Sequence, residues 1–262
     1  MHESLQALLF DVDGTLADTE RDGHRVAFNL AFEEAGLDWN WSVELYARLL
    51  AVTGGKERMK YYLEYFNTDF ACSTDIDDFI AELHRSKTTH YTDLLAEGRI
   101  PLRSGVERLL REARDKGMRM GIATTTTPAN VQALLSNTLG AGSENWFEVI
   151  AAGDVVPAKK PAADIYLWAM EKMGLRAEQC IAFEDSENGI KSSLAANLRT
   201  IVTVNDYTRE HDFSRALLVL DNMGEPDQPF TVLQGDKTLV KGAVCLDLEL
   251  VERLADNSLA PL

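Results

Sequence analysis

Apolar positions follow two rhythms along this chain, and the switch between them sets the architecture. Leu5 to Phe10, broken only by Gln6, is a short apolar run that stops at Asp11 and Asp13, and it reads as a buried strand. Phe28, Ala31, Phe32 and Ala35 then recur at the i, i+3, i+4, i+7 spacing of an amphipathic helix stopped by Gly36. Ser42 can cap a second helix reaching Leu50. The polar turn Thr53 to Arg58 opens a third helix, to about Phe66, and Asp75 with Ile76, Phe79, Ile80 and Leu83 begins a longer fourth. No strand pattern falls between Glu20 and about Gly98, so an all-helical insertion follows the first strand.

From Pro101 strands and helices alternate. The pattern predicts a helix through Val106, Leu109, Leu110 and Ala113 that Gly117 ends, then a strand over Met118 to Ala123 running into Thr124–Thr127. A strand over Phe147 to Ala152 precedes a helix over Pro161 to Met173, ended by Gly174, with Trp168, Met170 and Met173 as core. Cys180 to Phe183 is a strand ending in Glu184 and Asp185, Asn188 to Ala196 a helix, and Thr200 to Val204 and Leu217 to Leu220 are strands. Such alternation means right-handed crossovers and a parallel sheet. The fold class is therefore α/β, with a Rossmann-like core over residues 1–19 and 97–262 and an inserted helical domain over 20–96. Phe230 to Leu246 reads as a β-hairpin turning at Gly235-Asp236, followed by a helix over Leu248 to Leu254. The segment after about Asp221 is longer than such a core requires and suggests no role of its own.

A chain of 262 residues, 45% of them hydrophobic, can bury a full core and still carry an insertion. The formal net charge of −16 argues against nucleic acid and anionic membrane surfaces as partners. It also requires that any site for an anionic substrate bring its own local cations. Met1 to Ser4 show no basic, then apolar, leader, and no apolar run reaches membrane-spanning length. Cys72, Cys180 and Cys245 are odd in number and far apart, which fits a reducing compartment rather than a disulfide framework or a zinc site. The expected location is the cytoplasm, or a plastid stroma if a transit peptide has been removed, and the expected state is a monomer.

Polar residues gather at four predicted strand ends: Asp11 and Asp13, Thr124 to Thr127, Lys159-Lys160, and Glu184-Asp185. In a parallel sheet these ends share one edge, where ligands bind. Two carboxylates spaced two apart repel and call for a hard dication with oxygen ligands. An EF-hand loop counted from Asp11 would need Gly and Glu where Leu16 and Asp22 stand, so that arrangement fails. Carboxylates, a hydroxyl beside a helix start and a lysine are the parts that hold Mg²⁺ and a phosphoryl group together.

Asp11-Val-Asp13-Gly-Thr15, Thr124, Lys160-Pro161 and Glu184-Asp185-Ser186, in that order, resemble the four motifs of the haloacid-dehalogenase superfamily. The insertion resembles that superfamily's small α-helical cap, as in β-phosphoglucomutase-like enzymes. Thr53 to Arg58, with Ala151-Ala-Gly-Asp154 ahead of Lys159-Lys160, is similar to the CbbY-type branch. That branch hydrolyses xylulose 1,5-bisphosphate, a misfire product that inhibits the carbon-fixing carboxylase. The chain departs from the family pattern at Ala163, where a proline is usual, and at Asn197, where glycine is common. Asn is the next best residue for a left-handed helix end, so the second departure is structurally quiet.

A carboxylate can attack phosphorus and split one hard hydrolysis into two steps, which makes Asp11 the expected nucleophile and Asp13 the acid and base. The resemblance implies Mg²⁺ on the Asp11 carboxylate, the Asp13 carbonyl and Asp185, with Glu184 nearby. It also implies phosphoryl binding by Thr124 and the Thr125 N–H at a helix N-terminus, with Lys160 offsetting the charge. Lys56 and Arg58 suit a second phosphate, Gly54 and Gly55 allow close backbone approach, His24 and Asp18 suit sugar hydroxyls, and Thr126 either end. Plainer assignments compete: a solvated helix start for Lys56 and Arg58, a partly buried helix residue for His24, a helix cap for Asp18. The expected function is a Mg²⁺-dependent phosphatase acting on a phosphorylated sugar. Its rivals are a sugar phosphomutase, a phosphatase for phosphoglycolate or another small ester, and a phosphate-sensing binding protein on the same scaffold.

Overall fold

The computed structural model describes residues 4–52, 54–72 and 74–257. Thr53, the first residue of the predicted polar turn, and Met1–Glu3, inspected above for a leader, lie outside them. The chain divides into two compact units, one formed by the segment up to Asp18 together with everything from Pro101 onward, the other by Thr19–Ile100.

The first unit is built on a seven-stranded sheet of order β3-β2-β1-β4-β5-β6-β7. Its strands are β1 Ala7–Phe10, β2 Arg119–Ala123, β3 Val149–Ala151, β4 Cys180–Glu184, β5 Arg199–Thr203, β6 Leu218–Leu220 and β7 Val232–Gly235. The first six pair in parallel, and β7 alone runs antiparallel, against β6. β1 lies between β2 and β4, with Leu9 opposite Gly121 on one side and Ala182 on the other. All four β1 residues and all five of β4 are buried, as continuous apolar runs in a covered parallel sheet should be.

Among the described residues, five α-helices belong to this unit: α5 Val106–Asp115, α6 Pro128–Leu139, α7 Asp164–Met173, α8 Glu187–Ala195 and α9 Leu248–Asn257. α7 buries Ile165, Tyr166, Ala169, Met170 and Met173 against Leu9, Ala123, Ala151 and Ala182, with Trp168 partly buried at the margin. It starts three residues later than Pro161 suggests, because residues 160–163 form a turn that carries Lys160 before the helix begins. Asn197 sits at φ +61, the left-handed conformation expected of it. The predicted hairpin at Gly235 does not form. β7 pairs with β6 instead, which covers an otherwise open parallel edge. The chain beyond Gly235 folds into turns that lead to α9. α9 packs on α5, and Arg108 binds the carbonyls of Met223, Gly224 and Leu246. The tail thus completes the sheet and its cover.

Among the described residues the second unit is all helical, with a π-helical turn Thr19–His24 and helices α1 Arg25–Glu34, α2 Val43–Leu49, α3 Gly55–Tyr65 and α4 Ile76–Ala96. Ser42 caps α2 by accepting from the Leu45 N–H, and Asp75 caps α4 by accepting from Asp77 and Asp78. Its core is aromatic: Trp41 lies 4.7 Å from Phe28, 4.9 Å from Phe32 and 5.4 Å from Tyr62 between ring centroids. Ala35 and Ile76, assigned to apolar helix faces by their spacing, are exposed. Among the described residues no helix is long and apolar enough to cross a membrane.

Candidate active site

β1 and β4 are neighbours, so the residues at their carboxyl ends meet. Asp11, Glu184 and Asp185 are all buried, and one carboxylate oxygen from each lies within 4.8 Å of the others. Lys160 reaches this cluster from the turn before α7. Its Nζ donates to Asp11 Oδ1 at 2.6 Å and to Glu184 Oε1 at 2.7 Å, with only 7% of its side chain exposed. The Tyr166 hydroxyl donates to the same Glu184 oxygen at 2.5 Å. Asn205, directly beyond β5, donates to Asp185 Oδ2 at 2.6 Å, and Thr15 approaches Asp11 Oδ2 at 3.4 Å.

Two of these carboxylates, Glu184 and Asp185, are pushed towards their protonated forms. Burial, reinforced by the Asp11 charge, pushes the Glu184 carboxyl up to about 7 in spite of Lys160. Burial and the charges of Asp11 and Glu184 hold Asp185 well above the usual carboxylate range. Burial alone would depress Lys160, but Asp11 and Glu184 outweigh it and keep the ammonium charged. The Glu184 Oε2 atom is buried without a hydrogen-bond partner among the described residues. One lysine against three carboxylates leaves negative charge to offset, and an all-oxygen donor set suits a hard dication.

The turn after β1 has a tight geometry. Val12 O accepts from the N–H groups of Thr15, Leu16 and Ala17, and the Gly14 N–H bonds Ala17 O at 2.7 Å. Gly14 stands at φ +85, and a Cβ there would lie 2.2 Å from Asp185 Oδ2, so only glycine lets this backbone pass against the carboxylate. Asp13 is half-buried in this turn. Asp18, expected at the sugar, lies 3.2 Å from the guanidinium of Arg103.

Thr124 ends β2 fully buried. Its N–H bonds Ala151 O, and its Oγ1 accepts from the Thr126 N–H at 3.3 Å. Thr125 is exposed and Thr126 half-buried, and Thr127 caps α6, whose first residue is Pro128.

The helical unit gathers its own polar cluster. Arg58 is buried, donates to the Tyr46 hydroxyl at 2.6 Å and lies 3.8 Å from Glu20. That hydroxyl in turn donates to Glu20 at 2.7 Å. His24 Nδ1 is 2.8 Å from Lys87 Nζ, and its ring stacks on Tyr91 at 3.9 Å. Burial pushes His24 down to about 4, with Lys87 and Arg58 adding to the effect and Glu20 opposing it. Arg58 is therefore not a solvated helix start. Lys56, two residues earlier, is exposed. Gly54 precedes α3 at φ +96 with the Glu57 side chain over it, and Gly55 lies against the His84 ring.

Tyr166, Asn205, Glu20, Tyr46 and Lys87 lie outside the sequence motifs. Two of them left a trace: Asn205 follows a strand as the motif residues do, and Lys87 stands midway between Leu83 and Tyr91 on the buried stripe of α4.

A family model described as haloacid dehalogenase-like hydrolase matches residues 5–197. The chain belongs to the haloacid dehalogenase-like hydrolases. It is 50% identical to CbbY of Rhodobacter capsulatus over 81% of this chain and 91% of that one. It is 46% identical to the plasmid-borne CbbY of Cupriavidus necator over 86% and 88%. A solved structure of a CbbY variant from Rhodobacter sphaeroides, in complex with xylulose 1,5-bisphosphate, superimposes with a TM-score of 0.69 at 43% identity, covering 83% of this chain and 94% of that one. The family and these relatives make the chain an enzyme, a phosphatase with CbbY homologues across most of its length.

Proposed function

We propose that this phosphatase hydrolyses a phosphorylated sugar, xylulose 1,5-bisphosphate before others, with Mg²⁺ and through an aspartyl-phosphate on Asp11. The observation that carries the proposal is the buried group of Asp11, Glu184 and Asp185 bridged by Lys160. Identity near one half to CbbY chains, one of them solved with that bisphosphate, supports the choice of sugar.

Asp11, Glu184 and Asp185, with the Asp13 carbonyl, would hold the Mg²⁺, which supplies positive charge to the phosphoryl oxygens when bound. The Asp11 carboxylate attacks phosphorus, and the bond from phosphorus to the sugar oxygen breaks as Asp13 hands that oxygen a proton. Water then attacks the same phosphorus, Asp13 takes up its proton, and the bond to Asp11 breaks to release phosphate. General acid–base help of this kind contributes about 10²–10⁴-fold. Lys160 keeps its charge and orients Asp11, while Thr124, Thr125 and the start of α6 receive the phosphoryl oxygens.

The helical unit acts as the cap that reads the sugar. Lys56, exposed at the first turn of α3, is the group for a second phosphate, with Gly54 and Gly55 giving backbone room. Arg58 and His24 act within the buried network that shapes the unit, and Thr126 contacts the substrate from the β2 end. Asp18, held by Arg103 where the chain leaves the α/β unit, is available to the sugar hydroxyls through its carboxylate.

Free phosphate released from xylulose 1,5-bisphosphate, fructose 1-phosphate, β-glucose 1-phosphate and phosphoglycolate, with and without Mg²⁺, tests this reading. Release fastest from the bisphosphate and abolished by a chelator is expected. Isomerised sugar phosphate without free phosphate would mean a mutase. Tight binding without turnover would mean a sensor.

A further inference from the structure

Arg103 carries no part of the four motifs, yet its guanidinium binds the motif-bearing turn after β1 directly. Its side chain is 8% exposed. One terminal nitrogen donates to Gly14 O, to Thr203 O at 2.9 Å and to Thr203 Oγ1 at 3.1 Å. The other donates to Val204 O and to Asp221 O at 3.2 Å, and Nε lies 3.2 Å from Asp18 Oδ1. The backbone joins in, since the Arg103 N–H bonds Leu16 O at 2.8 Å and Ala17 pairs antiparallel with Leu102. One planar guanidinium thus ties the turn after β1 to the end of β5 and the loop after β6. It also holds Asp18, the last residue before the chain leaves this unit.

Gly14 is the peptide that this fork grips, and it has a neighbour on each side. Asp13 precedes it in the chain, and a Cβ placed on Gly14 would meet the Asp185 carboxylate that Asn205 holds. A displaced Gly14 peptide therefore moves Asp13 relative to Asp11. Lysine cannot replace this grip, having three donors on one nitrogen rather than five in a fixed fork.

We infer that Arg103 is a positioning residue for proton transfer: by holding the Gly14 carbonyl it keeps Asp13 where it can protonate the leaving oxygen. This rests on the acid–base role given to Asp13 above. All three guanidinium nitrogens of Arg103 already face protein oxygens, so its loss should act on the turnover number and leave the Michaelis constant nearly unchanged. The defect should also depend on the leaving group. A sugar oxygen must be protonated as it departs, whereas p-nitrophenolate leaves without a proton.

The test compares wild type, Arg103→Lys and Thr203→Val with Mg²⁺, using xylulose 1,5-bisphosphate and p-nitrophenyl phosphate. Steady-state phosphate release is measured for the first, and the burst of p-nitrophenolate, which reports the phosphorylation step, for the second. Arg103→Lys should lower kcat on the sugar ester about 10²-fold with KM within about threefold, and slow the nitrophenolate burst less than about tenfold. Thr203→Val, which removes one acceptor of the fork and is the milder change should Arg103→Lys fail to fold, should show the same asymmetry at smaller amplitude. Equal losses on both substrates, or losses confined to KM, would overturn the inference while the phosphatase assignment stands. Absence of phosphate release by wild type itself would overturn both.

Discussion

The acidic cluster makes a prediction about stability that does not depend on the substrate. With no dication bound, Glu184 takes up its proton at about 7 in the folded protein, against 4.5 for a free glutamate. Each pKa unit corresponds to about 1.4 kcal/mol, so the shift represents roughly 3 kcal/mol. The folded state holds the proton more tightly, so this stabilising contribution is complete below pH 4.5 and is lost as pH rises through 7. Most of the loss falls between about pH 5 and 8. For a chain of this size one kcal/mol moves the melting temperature by about 2–4 °C, which gives roughly 6–12 °C in all. The assay is thermal unfolding with a chelator across that range, for wild type and for Glu184→Gln, which is neutral throughout. The wild-type melting temperature should fall relative to the variant as pH rises, and Mg²⁺ should remove most of the fall by supplying the missing charge. Parallel curves for the two proteins in chelator would refute the electrostatic account of the cluster.

Other outcomes follow from the same geometry. Lys160→Met removes the ammonium that bridges Asp11 and Glu184 and should lower kcat by about 10²–10³-fold, read from phosphate release. Lys56→Ala should raise KM for a sugar bisphosphate far more than for a monophosphate without changing the melting temperature, because the side chain is exposed; equal effects would remove the second-phosphate role. Burial holds His24 down at about 4, so its imidazole resonances should stay those of the neutral ring from pH 8 to about 5, and a titration near 6.5 would contradict its place beside Lys87.

Much of this molecule could be read from the chain because its chemistry is arranged by strand order. Buried parallel strands appear as apolar runs, and their polar ends mark one edge of the sheet, so Asp11, Thr124 and Glu184-Asp185 declared themselves. α6 was harder to bound, because Thr127, Asn130, Ser136 and Asn137 dilute its apolar stripe. The hairpin expectation failed for a different reason. Gly235 suggested a local turn, while the unpaired edge of β6, far less visible in sequence, took Val232–Gly235 as its partner. The burial of Arg58, read from sequence as a candidate for a second phosphate, was not legible because Glu20 and Tyr46, which draw it inward, lie well away in sequence. Arg103 left no mark for the same reason in stronger form. Its partners include the backbone carbonyls of residues 14, 203, 204 and 221, and a carbonyl has no side-chain signature.

The central claim is that Asp11 becomes phosphorylated while a sugar phosphate is hydrolysed. Wild type and Asp11→Asn would be mixed with xylulose 1,5-bisphosphate and Mg²⁺, quenched in acid during turnover, digested and weighed by mass spectrometry. The account predicts one added phosphoryl group on the wild-type peptide containing Asp11, none on the variant, and free phosphate accumulating only with wild type. Phosphate release by Asp11→Asn at the wild-type rate, or a phosphoryl group found on a different residue, would contradict it.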